Sequence, residues 1–220
     1  MRTLIVAPHP DDEVLGAGGT LLRRKKEGVT TACLFLTRVD DDMEWSEEKL
    51  ARRSAEIEQA VKLLQFDSFF QLDFPARKLD VVPMNILVEA ISRVFSEFEP
   101  TEVFVPHPSD IHSDHRVAFQ AAMSCTKWFR FPFIKRVLAY ETLSETDFGL
   151  EREASFRPNV FLNIEDEIEE KLLALKIYSS EIGEFPFPRS TEAVRALATV
   201  RGAASGYSSA EAFELLRERD

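Results

Sequence analysis

An α/β fold is predicted for this chain, a mostly parallel sheet with helices on both faces. Two features of the sequence predict it. Short apolar strand runs alternate with helical patterns along most of its 220 residues. That alternation implies right-handed βαβ units, which place helices on both sides of a parallel sheet. The length fits one α/β domain, and a hydrophobic share of 45% is enough to build its core.

The elements follow in order. Leu4-Ile5-Val6-Ala7 marks a first strand over 3–7, followed by a helix over 14–27 that stops at Gly28. A second strand over 30–36 contains Ala32-Cys33-Leu34-Phe35-Leu36. The next helix, 47–64, carries Leu50, Ile57, Val61 and Leu64 at helical spacing with charges between them. A strand over 68–72 and a helix over 84–98 come next, with Pro100 as the stop signal. Strand 102–106, helix 114–127 and strand 133–140 complete the alternation. Beyond about residue 157 the pattern changes. A short strand at 159–162 precedes helices near 166–180, 190–203 and 209–218, with Pro186 and Pro188 stiffening the connector between Gly183 and Arg189. This last third is expected to form a helical C-terminal flank or lid on a Rossmann-like sheet, within a single domain spanning residues 1–220.

Charge narrows the partners. Against 27 basic residues stand 38 acidic ones, a net charge of −11. Nucleic acid and anionic membrane both need basic surface, so neither is expected as a main partner. Cys33 and Cys125 belong to no closely spaced cysteine motif and read as buried thiols of a reducing, cytoplasmic compartment. Too few apolar residues precede His9 for a signal peptide, and no stretch approaches the ~20 apolar residues of a membrane span.

Three of the four histidines fall in two short motifs. Pro8-His9-Pro10-Asp11-Asp12-Glu13 follows the first strand, and His112-Ser113-Asp114-His115 follows the fourth by a short loop. Imidazole nitrogen and carboxylate oxygen together suit a divalent metal such as zinc. Three protein ligands with an open fourth position is the catalytic arrangement. Zinc also lowers the pKa of bound water to about 7, so the pattern points to a metal hydrolase. Within each motif a spacing of three lets the two residues face one point. Ser113 or Asp114 also reads as the N-cap of the following helix. In a doubly wound sheet, ligands bind outside the carboxyl ends of strands where strand order reverses, so both motifs would meet in one crevice.

Other residues say less. His107, between Pro106 and Pro108, either lines the pocket or sits on a loop. Asp40-Asp41-Asp42 resembles a solvated loop, and Arg23-Arg24-Lys25-Lys26 ends a helix, where cations complement its dipole. Gly16-Ala17-Gly18-Gly19 is not a dinucleotide fingerprint, because it lies within the helical stretch and not at the strand–helix turn. Glycines there allow close packing on the sheet.

The Pro-His-Pro-Asp-Asp-Glu motif and the His-x-Asp-His motif together resemble the LmbE-like zinc deacetylases, the family that includes the PIG-L N-acetylglucosamine deacetylases. Arg53-x-x-Glu56-x-x-x-Ala60-x-x-x-Leu64 is similar to the family's second helix. Lys171, Tyr178 and Ser179 resemble its later helix, and Ala210-Glu211-Ala212-Phe213 its C-terminal signature. Ser113 departs from a common proline and Ser180-Glu181 from a common glutamine. The resemblance implies a single Zn2+ per chain on His9, Asp12 and His115, with another divalent metal as a substitute. It implies Asp11 as general base, His112 as oxyanion stabiliser or acid, and Arg53 as holder of a substrate hydroxyl. A hydrogen bond between Asp114 and His112, the imidazole donating, is expected to orient the ring and favour its charged form. His107 is counted with Arg53 as substrate-binding. The implied activity is removal of the N-acetyl group from an N-acetylglucosamine-type sugar or conjugate, a small-molecule partner, by a chain that relatives make a candidate homo-oligomer. Two alternatives are an amidase for a larger amide, such as a thiol conjugate, and a non-catalytic sugar- or nucleotide-binding protein. Specificity is expected to come from loops near 38–46, 73–80 and 183–190.

Overall fold

The computed structural model describes residues 1–38, 46–149 and 155–220. Its sheet has seven strands in the order β3-β2-β1-β4-β5-β7-β6. The first five are β1 (Arg2–Ala7), β2 (Thr30–Arg38), β3 (Ser68–Pro75), β4 (Glu102–Pro106) and β5 (Arg136–Tyr140). All their pairings are parallel. The helices between them are α1 (Asp12–Lys26), α2 (Glu47–Leu63), α3 (Met84–Phe98) and α4 (Ser113–Ser124), with a 3-10 turn at Leu79–Val81. Alternate strand residues serve two cores. Ile5, Phe35, Phe104 and Leu138 pack on one face with residues of α1 and α2. Leu4, Val6, Leu34 and Val105 pack on the other with α3 and α4.

Strand order runs outward from β1 through β2 to β3 and reverses from β4 to β5, so the crevice opens between β1 and β4. These strands pair directly, Leu4 opposite Val103 and Ile5 opposite Phe104. The two histidine motifs therefore leave neighbouring strands at the same sheet edge.

The C-terminal flank corrects the sequence reading. Helices α5 (Ile168–Ile177) and α6 (Thr191–Ala203) form as expected, but Ala210–Glu218 is a strand, β7, not a helix. It inserts between β5 and β6 (Val160–Asn163), antiparallel to both. Alanine, glutamate, leucine and arginine favour helix locally, but pairing with strands on both sides overrides that weak preference. Phe213 then packs against Phe104, ring centres 4.9 Å apart. The flank thus extends the sheet as well as covering it.

Helix α1 breaks at Ala17, whose φ of −148° and ψ of 16° are not helical. A break frees main-chain groups that need partners. The Glu211 carboxylate on β7 accepts from the Gly19 and Thr20 N–H groups at 2.9 and 2.7 Å. The ammonium of Lys171 on α5 donates to the Leu15 carbonyl at 2.9 Å and to Glu211 at 2.6 Å. Close packing explains the glycines: a Cβ on Gly16 would lie 2.3 Å from the Tyr140 ring, and one on Gly19 2.8 Å from Ile164. Lys171 and Glu211 are both buried. Removing one partner strands the other charge, so Lys171→Met should lower stability by about 3–5 kcal/mol in urea unfolding. A loss below about 1 kcal/mol would show that the pair does not hold the break.

Candidate metal centre and active site

Asp12 is the hub. His9 leaves β1 and turns its Nδ1 to within 3.4 Å of Asp12 Oδ2. From the first turn of α4, His115 places its Nε2 at 3.2 Å from the same oxygen. Each ring is held from behind by a second carboxylate: His9 Nε2 lies 2.9 Å from Asp114 Oδ2, and His115 Nδ1 2.8 Å from Asp110 Oδ2. Such backing fixes ring orientation and tautomer and raises ligand basicity. Asp114 is in turn fixed by the main-chain N–H groups of Arg77 and Leu79, and Asp110 by the Thr146 hydroxyl. One donor atom each from His9, Asp12 and His115 lies within 4.8 Å of the others, a set that could hold a metal ion. A second set, His9, His112 and Asp114, meets the same limit. It would cost His9 and Asp114 the bond that orients them.

The charges are arranged for a cation. Burial disfavours an ionised Asp12, yet His115 and His9 hold its carboxyl well below the usual range. Burial also opposes charge on the two rings, but bonds to Asp114 and Asp12 raise His9 to about 9. Asp12 and Asp110 raise His115 to about 10 in the same way.

Asp11 sits beside the hub, its Oδ2 accepting from Arg189 Nη1 at 2.9 Å. Its φ of 131° is a strained setting for a non-glycine residue, of a kind that clusters at functional sites. The setting is held by Glu13, whose Oε2 accepts from the Asp11 N–H at 2.9 Å while Oε1 accepts from the Tyr178 hydroxyl at 2.7 Å. Burial, with Asp12 alongside, raises the Asp11 carboxyl to about 6 against the pull of Arg189 and Arg53. Glu13, buried among these groups, rises to about 8 despite its bonds to Tyr178 and Asp11.

His9, Asp11 and His112 line one wall of a cleft of about 270 Å3. Arg38 at the end of β2, Arg77 after β3, and Arg189 and Glu181 from the C-terminal flank line the others. Arg38, Arg77 and Arg189 fall in the three segments expected to set specificity, while Glu181 lies just before the last of them and residues 39–45, with Asp40-Asp41-Asp42, lie outside the described residues. Arg53 lines the cleft too. It donates to the Pro10 carbonyl and lies 3.4 Å from Glu56 and 3.5 Å from Glu181.

Three expectations are corrected. His112 itself caps α4, its Nδ1 accepting from the Asp114 N–H at 3.1 Å, so neither Ser113 nor Asp114 is the cap. The Asp114 carboxylate bonds to His9, not to His112. Burial and the neighbouring His9 and His115 lower His112 to about 4, so its neutral form prevails. His107 does not reach the cleft: it is buried beside Ser109 at 2.8 Å, Glu214 at 3.5 Å and the Phe156 ring. The sequence reading also missed Asp110, which its place in the loop five residues before His115 could have suggested. Arg189 it passed over as the end of a connector.

Residues 4–126 match the family model described as PIG-L: GlcNAc-PI de-N-acetylase. The chain belongs to the PIG-L family. The diacetylchitobiose deacetylase of Thermococcus kodakarensis is 26% identical over 98% of this chain and 83% of its own. A probable N-acetyl-alpha-D-glucosaminyl L-malate deacetylase 2 of Bacillus cereus is 26% identical over 82% and 83%. Among solved structures, the conserved protein TT1542 from Thermus thermophilus superposes with a TM-score of 0.79 at 29% identity, covering 99% of this chain and 96% of that one. Both histidine motifs lie inside the region that the family model matches.

The centre can be tested in two ways. Asp110→Asn should weaken metal binding by about 10–100-fold, the usual cost of losing a carboxylate behind a ligating histidine. Unchanged affinity in a metal titration would remove Asp110 from the centre. Because His9 and His115 hold protons to about pH 9 and 10, an ion must displace them. Calorimetry at pH 7 in buffers of different ionisation enthalpy should show roughly one to two protons released per ion, with affinity falling as pH falls. No proton release would contradict the ligand assignment.

Proposed function

We propose that this protein is a zinc-dependent hydrolase that removes the N-acetyl group from an N-acetylglucosamine-type sugar or conjugate. The observation that carries the reading is a buried aspartate, Asp11, set beside a His–Asp–His donor set in the cleft of a PIG-L chain. His9, Asp12 and His115 would hold a divalent ion, which would supply Lewis-acid polarisation of the acetamide carbonyl and acidify a water. The donor set of two nitrogens and one oxygen suits zinc and also accepts other divalent ions.

The remaining work falls to the chain. Asp11 has one carboxylate oxygen bound to Arg189 and the other to offer as general base. Burial raises its carboxyl to about 6, which still leaves it ionised at neutral pH. It takes a proton from the attacking water and returns that proton to the amine nitrogen as the C–N bond breaks. His112 acts as a neutral donor. With Nδ1 accepting from the Asp114 N–H, its proton sits on Nε2, which stabilises the carbonyl oxygen as negative charge develops there. Arg53 binds a substrate hydroxyl. The cleft is just below the roughly 300–1,000 Å3 of common ligand pockets and suits one sugar ring with its aglycone outside. Both cysteines are buried and unpaired, which supports a reducing cytosol as the compartment. No helix among the described residues is long and apolar enough to cross a membrane.

The test is acetate and free amine release from a panel of N-acetylglucosamine conjugates, lost on chelation and restored by zinc. A metal-loaded protein that deacetylates none of them would overturn the reading. Asp11→Asn should keep the metal and lower turnover by about 10²–10⁴-fold. Loss of the metal with the activity would instead make Asp11 a ligand. The pH profile has a defined sign. Asp11 must be ionised, so activity is lost as pH falls through about 6, or lower still once a cation stands nearby. His112 is already neutral above about pH 4, so His112→Ala should slow the reaction without moving any alkaline limb. An alkaline limb that disappears in that variant would show an imidazolium at work.

A further inference from the structure

We propose that Arg189 is a positioning residue that keeps Asp11 off the metal and aims it at the attacking water, an inference that rests on reading Asp11 as the base. Two adjacent carboxylates stand at the centre, and only Asp12 can be a ligand if Asp11 is to move protons. Asp11 is buried, one residue from the hub, and a bound cation would attract it. The structure holds it elsewhere. Arg189, the last residue of the connector before α6, uses all three guanidinium nitrogens. Nε donates to the Ser144 hydroxyl at 2.8 Å, Nη1 to Asp11 Oδ2 at 2.9 Å and Nη2 to Glu145 Oε1 at 2.9 Å. Ser144 and Glu145 lie on the loop after β5, so two contacts on that loop fix the plane of the fork, and the fork fixes one Asp11 oxygen. The side chain of Arg189 is 18% exposed and that of Asp11 3%, so solvent screens the contact little. A lysine could supply the charge but not the planar fork.

Loss of the fork therefore has two opposite effects. Asp11 becomes free to turn toward the ion, which binds metal more tightly, and it ceases to be placed as a base, which slows turnover. Misplacing a catalytic group by about 1 Å costs on the order of 10²-fold. General damage to the site would weaken both.

The experiment measures zinc affinity, kcat and KM for the zinc-loaded full chain as wild type, Arg189→Ala, Arg189→Lys, Asp11→Asn and both Arg189 variants on Asp11→Asn. For Arg189→Ala we expect zinc affinity several-fold higher, kcat lower by about 10²-fold and KM within about threefold. Arg189→Lys should lose kcat with zinc affinity near wild type, and it carries the test if the alanine variant does not fold. On Asp11→Asn, either Arg189 change should cost less than about twofold in kcat, because a residue acting through Asp11 has nothing left to place. Wild-type kcat in the Arg189 variants, a change in KM alone, or an equal loss with and without Asp11 would overturn the proposal. If Asp11→Asn itself turns over normally, the base assignment fails instead.

Discussion

Two imidazoles turned onto one carboxylate, each pinned from behind by another, form the constraint on which this molecule depends. The line runs Asp110, His115, Asp12, His9, Asp114, with contacts of 2.8, 3.2, 3.4 and 2.9 Å. Gathering three buried carboxylates is costly unless each is hydrogen-bonded and the whole can hold positive charge. Much of the nearby backbone serves that need. The turn at residues 77–79 presents two N–H groups to Asp114, the start of α4 aims His115, and the direct pairing of β1 with β4 brings the two motifs to one edge.

The C-terminal flank supports this arrangement from the far side. Glu211 and Lys171 close the break in α1, Tyr178 backs Glu13 and so the strained Asp11 turn, and Arg189 grips Asp11 itself. All four supports lie beyond residue 157, and all reach residues 11–20. The flank thereby couples the folding of β7 and α5 to the shape of the turn that carries Asp11 and Asp12.

What the sequence made legible was local. The strand runs and helical periods of residues 1–140 reflect burial of alternate strand residues against two helical layers, a pattern that nearest neighbours in sequence reveal. Both histidine motifs were legible for the same reason, since a spacing of three brings their members together without help from the rest of the chain. Strand β7 was not legible, because Ala210–Glu218 is helix-forming until β5 and β6 flank it. Arg189 was hidden by its 178-residue separation from Asp11, and nothing in Phe-Pro-Arg-Ser announces a partner at the other end of the chain. The direction of Asp114 was misread because the sequence placed it beside His112, whereas the turn after β3 draws its carboxylate to His9. His107 shows the converse: a histidine between prolines near the site that the chain buries against Ser109 and the Phe156 ring.

The central claim is that His9, Asp12 and His115 hold the ion while Asp11 stands clear of it. Anomalous diffraction at the zinc edge, from crystals grown with zinc, tests that most directly. The expected result is a single peak about 2.0–2.2 Å from His9 Nδ1, an Asp12 carboxylate oxygen and His115 Nε2, with Asp11 still on Arg189. A peak on the His9, His112 and Asp114 set, or one with Asp11 among its ligands, would contradict it.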